Sequence, residues 1–263
     1  MWKFIILLLP SFVLASPCSI SDKQMSCTHS HLEIDGLVAK RDVYYALPQT
    51  QAPAKGYPVA FIFQGSFFSI DFQRRQGDPF EGYNEILLIK ELLDNGYMVV
   101  APKAAGGLFW QTNIIGLNYE ISADRYFIDQ VLSELKAQTM GPADLSNLFA
   151  VGISSGGYMT DRMAISHKHT PFKALAIASA SHATCGGPMC DIPDKANPDH
   201  PPTLFMHGKK DVVVPLFTMK KYEKLLRRAG VPTKKVIDAK ATHAWLDAAP
   251  HEVLTWFNRF KAQ

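Results

Sequence analysis

Gly152-Ile153-Ser154-Ser155-Gly156 is the stretch of this 263-residue chain best suited to chemistry. A G-x-S-x-G pentapeptide between a strand and a helix forms a tight turn that projects its central serine from the strand end. The two glycines permit the turn without side-chain collisions, and Gly157 extends the small-residue surface. Ser155 is a second serine, but its neighbours do not fit the motif; its backbone N–H is instead placed to stabilise an oxyanion. A serine hydroxyl is weakly nucleophilic and needs a base held by an orienting acid. Asp211, just after Leu204-Phe205-Met206-His207-Gly208, and His243, in Ala241-Thr242-His243-Ala244-Trp245, supply them in the order serine, acid, histidine. Asp191 lies beside a cysteine loop rather than just after a strand, and His251 lies too close to the last helix. The expected chemistry is acyl transfer: His243 takes the Ser154 proton and returns it to the leaving alcohol, and Asp211 fixes the imidazole tautomer. Charge on the carbonyl oxygen calls for two fixed donors. The Ser155 N–H is one; the other is expected in Phe63-Gln64-Gly65-Ser66-Phe67, from Ser66 with Phe67 as runner-up.

Such residues need strand ends to hold them. Apolar runs at 57–63, 97–101, 148–153, 174–180 and 202–206 read as short buried strands, and 234–238 as extended. Helical spacing covers 84–93, 123–137, 155–166, 217–228 and 252–261, and 36–47 reads as extended. Strand–helix alternation with short buried strands predicts an α/β fold around a mainly parallel central sheet, with helices on both faces. No repeat or long linker divides the chain, so residues 16–263 are expected to form a single catalytic domain.

Composition narrows the partners. With 47% hydrophobic and 19% charged residues, and 27 basic against 24 acidic side chains, the chain is neither disordered nor built as a nucleic-acid track. Lys3 followed by the apolar run Phe4–Leu14 and ending at Val13-Leu14-Ala15 reads as a signal peptide over residues 1–15. That run is shorter than the roughly 20 residues that span a bilayer, and no later segment reads as a membrane span. The chain is expected to be exported, secreted or periplasmic. Four cysteines in an oxidising compartment favour disulfides. Three pairings are possible; local pairing of Cys18 with Cys27 and of Cys185 with Cys190 is preferred. His29, His31, His167 and His169 do not assemble a ligand set, so no metal and no cofactor are expected. His167-Lys168-His169 reads as an exposed helix end.

The motifs Gly152–Gly157, His207-Gly208 followed by Asp211, and Thr242-His243-Ala244-Trp245 resemble those of α/β-hydrolases. The chain is most similar to the secreted depolymerases of medium-chain-length polyhydroxyalkanoates. The resemblance covers nearly all of the chain after the leader and implies hydrolysis of 3-hydroxyalkanoate esters, with Ser154, Asp211 and His243 as the triad and Gln64-Gly65-Ser66 as the oxyanion loop. Gln64 stands where His-Gly is common in other hydrolases. A hydrophobic polyester or a medium-chain ester is the expected substrate.

Phe67, Trp110 and Trp245 are the candidate substrate-binding residues, with Phe68, Phe72 and Phe80 as further aromatics near strand ends. Three other functions compete: a general carboxylesterase or lipase, a short-chain polyhydroxybutyrate depolymerase, and a non-catalytic polymer-binding protein on the same fold. Oligomeric state is not legible in the sequence.

Overall fold

Residues of Tyr57–Phe63 divide between two cores: Val59, Phe61 and Phe63 pack on one side, Ala60 and Ile62 on the other. A strand that is apolar on both faces must lie inside a sheet covered on both faces. The computed structural model describes residues 16–113, 116–169, 172–197 and 199–262 and places this strand accordingly. The leader expected at 1–15 lies outside the described residues.

The central sheet has eight strands: β1 Ser30–Asp35, β2 Lys40–Ala46, β3 Tyr57–Phe63, β4 Met98–Pro102, β5 Ala143–Ile153, β6 Phe172–Ala178, β7 Thr203–Gly208 and β8 Thr233–Asp238. Their spatial order is β1-β2-β4-β3-β5-β6-β7-β8. Pairing is antiparallel at β1–β2 and β2–β4 and parallel from β4 to β8. The stretch 36–47 is therefore not one extended run. It contains the turn after β1, where the Gly36 N–H donates to the Ala39 carbonyl at 3.0 Å, and then β2.

Helices α1 Gly82–Asp94 and α5 Ala249–Phe260 cover one face, and α2 Ala123–Lys136, α3 Ser155–Ile165 and α4 Leu216–Arg228 the other. The parallel registers align the carboxyl ends of the strands: Phe63 lies beside Gly152, Ile153 beside Ala178, and Ala178 beside Met206. The loops after β3, β5, β7 and β8 consequently open on one edge, where α/β sheets place their ligands.

Both expected local disulfides are formed, Cys18–Cys27 and Cys185–Cys190. The first staples a hairpin, Cys18–Ser21 with Gln24–Cys27, which pairs in turn with Gln73–Arg75. Among the described residues no helix is long and apolar enough to cross a membrane.

Candidate active site

The turn from β5 into α3 is tight because three glycines leave no room for side chains. A β-carbon on Gly156 would stand 2.0 Å from the Phe63 carbonyl oxygen, and one on Gly152 2.4 Å from that of Gly156. This contact holds β3 and its following loop against the Ser154 turn. Ser154 takes φ 54° and ψ −121°, a strained backbone for a residue with a side chain. Its N–H donates to the Ala178 carbonyl at 2.9 Å, and its carbonyl accepts from the Tyr158 N–H at 3.1 Å. The side chain is thereby aimed into a cavity of about 530 Å³.

Asp211 and His243 reach each other from the ends of β7 and β8. The His243 Nδ1 lies 2.8 Å from the Asp211 Oδ2, and His243 lines the cavity that Ser154 faces. The other carboxylate oxygen accepts the N–H groups of Val213 and Val214 at 2.9 and 2.8 Å. Burial alone would push the Asp211 carboxyl up, but these bonds and the imidazoles of His243 and His207 outweigh it and hold the carboxyl below its ordinary value. Asp191 and His251 are both exposed, and neither lines the cavity.

The loop after β3 is anchored from its far side. Gln64, 1% exposed, accepts the Ala104 N–H at 3.0 Å and donates to the Gly107 carbonyl at 3.1 Å. A glutamine with both ends used in this way explains what position 64 contributes without a histidine. The Phe67 N–H donates to the Leu108 carbonyl at 2.6 Å, which removes Phe67 from the candidate oxyanion donors. Ser66 lines the cavity beside Ser154, and Ser155 is the first residue of α3, buried with its Oγ accepting the Trp110 N–H at 3.0 Å.

The aromatic candidates separate. Phe67 is exposed and lines the cavity; Trp245 is buried and lines it as well. Trp110 does not fit the substrate-binding expectation. It is fully buried behind the loop, edge-on to Phe63, and its indole N–H donates to the Gln64 carbonyl at 3.2 Å. Its expected place in a loop near a strand end did not reveal that the backbone N–H of Trp110 would bond the Ser155 Oγ, with the indole packed inside. Phe72 is also buried, stacked on His29. Phe68 and Phe80 meet edge to face at 4.9 Å in the cavity wall, and Phe80 lies 5.9 Å from the His243 ring.

Two charged residues of the cavity carried no signal in the sequence. The Arg74 Nη2 pairs with the Glu85 Oε1 at 2.6 Å, and the Glu85 Oε2 accepts from the Trp245 indole at 3.3 Å. Arg74 arrives on the strand pairing of the disulfide-stapled hairpin, with Met25 opposite it. The Trp245 N–H donates to the Phe80 carbonyl at 3.0 Å and Asn84 to Asp247 at 2.9 Å, so the start of α1 is laced to the histidine loop. Nothing in local spacing joins positions 74, 85 and 245.

A hydroxyl on a strained strand-to-helix turn, an imidazole and a buried carboxylate at one apolar cavity define an α/β-hydrolase. Solved structures agree on the fold. The chain is similar to the acylaminoacyl peptidase of Pyrococcus horikoshii (TM-score 0.64, 15% identity, 89% of this chain), though it spans only 42% of that protein. It is similar over nearly the whole of two others: a ferulic acid esterase (TM-score 0.63, 18% identity, 89% of this chain and 97% of the other), and the S-formylglutathione hydrolase of Staphylococcus aureus (TM-score 0.60, 14% identity, 88% and 95%). No family model matches the chain. A poly(3-hydroxyoctanoate) depolymerase of Pseudomonas fluorescens is 44% identical over 254 residues, covering 93% of this chain and 91% of that protein. The chain belongs to the medium-chain-length polyhydroxyalkanoate depolymerases of the α/β-hydrolase superfamily, and is a carboxylic ester hydrolase.

Proposed function

We propose that the chain is an exported depolymerase that cleaves the esters of a medium-chain polyhydroxyalkanoate, with Ser154 as nucleophile, His243 as base and Asp211 as its orienting acid. The observation that carries this reading is the 2.8 Å contact of His243 with Asp211 at an apolar cavity shared with the strained Ser154. A carboxylate only accepts, so Nδ1 of His243 carries the proton and Nε2 is left to take that of Ser154. Attack on the ester carbonyl forms a tetrahedral oxyanion, for which the N–H groups of Ser66 and Ser155 are the donors. Collapse expels the alkoxide of the next monomer, protonated by His243, and water repeats the cycle on the acyl-enzyme. Two disulfides and the apolar leader support export, with residues 16–263 as one catalytic domain.

The test is a substrate panel: polyhydroxyoctanoate latex, polyhydroxybutyrate granules, triglyceride and p-nitrophenyl octanoate. Clearing of the octanoate polymer and its loss in a folded Ser154→Ala variant are expected. Hydrolysis of soluble esters with no polymer clearing would sink the polyester reading, and an active Ser154→Ala variant would sink the assignment of the nucleophile.

A further inference from the structure

The segment 103–111, which follows β4, reaches both sides of the candidate oxyanion site. Its Ala104 N–H donates to Gln64 Oε1 at 3.0 Å, its Gly107 carbonyl accepts from Gln64 Nε2 at 3.1 Å, and its Leu108 carbonyl accepts the Phe67 N–H at 2.6 Å. Ser66 stands between Gln64 and Phe67 and is held through them. At Trp110 the same segment meets the other candidate donor: the backbone N–H donates to Ser155 Oγ at 3.0 Å, and the indole N–H to the Gln64 carbonyl at 3.2 Å. The segment has little stiffness of its own. Its regular structure is a 3-10 turn at Ala105–Gly107, with Gly106 and Gly107 at φ of 61° and 72°.

A buried ion pair fixes its two ends. Arg41, on β2, donates from Nε and Nη2 to the Lys103 carbonyl at 3.0 and 2.8 Å, and from Nη1 to Asp124 Oδ1 at 2.7 Å. Asp124, in the first turn of α2, accepts the Gln111 N–H on Oδ2, and its own N–H donates to Gln111 Oε1 at 3.1 Å. The Arg41 guanidinium lies 3.8 Å from the centre of the Phe127 ring, and the two charged residues are 8% and 0% exposed. Taking both charges out of water is costly, and such a pair adds little stability over apolar residues of the same volume. What apolar residues lack is the fork of donors and the two acceptor oxygens, which here seize the chain at 103 and at 111.

We propose that Arg41 and Asp124 are positioning residues for acyl transfer: they clamp the segment 103–111 at both ends, and the segment fixes the Ser66 and Ser155 N–H groups where the oxyanion develops. This rests on the acyl-transfer reading given above. Donors stabilise a developing charge fully only when they are in place before it appears, because donors that must first be pulled into line spend the interaction on their own rearrangement. The clamp therefore bears on the transition state more than on substrate binding. The wall formed by Phe80 and Trp245 is held by another bond, from the Trp245 N–H to the Phe80 carbonyl.

The test compares two ligands of the same cavity. 1,1,1-Trifluorodecan-2-one adds to a serine hydroxyl and places an oxyanion on the donors; 1,1,1-trifluorodecan-2-ol has the same chain and cannot add. A lone buried charge is strongly destabilising, so the pair is removed together, as Arg41→Met/Asp124→Leu. In this variant kcat on p-nitrophenyl octanoate is expected to fall about 10- to 100-fold and the inhibition constant of the ketone to rise by the same factor. KM and the inhibition constant of the alcohol stay within about twofold. Arg41→Lys keeps a cation beside Asp124 but cannot fork onto the Lys103 carbonyl; it is expected to show the same split at about threefold, and decides the matter if the double variant does not fold. Unchanged kcat and ketone inhibition in the folded variants overturn the proposal, as does an equal loss of ketone and alcohol binding, which would mark general damage to the cavity. A parent that binds the ketone no more tightly than the alcohol overturns the acyl-transfer reading itself, and the clamp with it.

Discussion

His207 stands with its Nε2 3.4 Å from Oδ2 of Asp211, the carboxylate oxygen that His243 meets at 2.8 Å. The same nitrogen donates to the Val214 carbonyl at 2.8 Å, which places its proton on Nε2. Burial pushes the His207 imidazole pKa down, outweighing the Val214 bond and the Asp211 charge, so a neutral dipole supports the acid from below. His207→Leu removes that support and leaves the Val214 carbonyl unpaired, costing about 1–3 kcal/mol of stability. It is also expected to lower kcat about tenfold, one bond's worth of support for the acid. His207→Gln, which keeps a donor near the Nε2 position, restores most of kcat. Steady-state kinetics on a soluble ester and urea unfolding of both variants check this; equal kcat in Leu and Gln variants would contradict it.

Gly156→Ala tests the approach of β3 to the nucleophile turn. The new β-carbon would lie 2.0 Å from the Phe63 carbonyl oxygen and 2.4 Å from that of Gln64, both backbone atoms that cannot swing away. The expected result is destabilisation beyond about 4 kcal/mol, large enough for the variant to be recovered unfolded. Far-ultraviolet circular dichroism of the purified variant is the measurement, and a native spectrum with full activity contradicts the close approach.

Glu85 carries its charge at a cost. Burial raises its carboxyl pKa above the ordinary 4.5, more than the pairing with Arg74 and the bond from Trp245 lower it. Between 4.5 and the raised folded value the folded protein holds a proton that the unfolded chain has released. Stability therefore falls as pH rises through that window, and Glu85→Gln is expected to abolish this slope. Glu85→Leu leaves the Trp245 indole N–H without an acceptor and Arg74 with only Asp71 and the Ser69 and Gln73 carbonyls, with an expected loss of about 1–3 kcal/mol. Urea midpoints measured at intervals from pH 4 upward distinguish the three chains.

His167 is buried, although its neighbours Lys168 and His169 are exposed as the helix end implied. Its Nε2 lies 3.0 Å from the Tyr119 hydroxyl, and burial, with the charges of Arg125 and Arg162, lowers its pKa to about 3. The unfolded chain takes up a proton near pH 6.5 that the folded chain refuses. Stability thus falls as pH drops below 6.5, at about 1.4 kcal/mol per pH unit from this one group. His167→Gln is expected to reduce the acid slope by that amount between pH 6 and 4, read from unfolding midpoints.

The parts of the site that were legible in the sequence are those made by neighbours along the chain. The turn at Gly152–Gly156 and its flanking strand and helix are local, as are the order of the elements and the turns that hold Asp211 and His243. Trp110 was misplaced for the opposite reason. Whether an indole faces a ligand or fills a core depends on what packs over it, here Phe63 and the Gln64 carbonyl, from a strand far away in the chain. The Phe67 N–H was open to an oxyanion until the Leu108 carbonyl was placed against it.

The sequence by itself determined which groups could carry acyl transfer, that Ser154 sits on a turn only glycines permit, and that its partners follow later strands. It also determined the α/β class, because buried strands apolar on both faces admit few arrangements. Only the tertiary structure decided that Asp211 and His243 meet, that the Arg74–Glu85 pair lines the same cavity, and that Phe67, Phe80 and Val213 from distant loops line it too. Each of these joins positions far apart in the chain, and such contacts follow from strand order and register, which set where loop ends lie, rather than from any residue's own propensity.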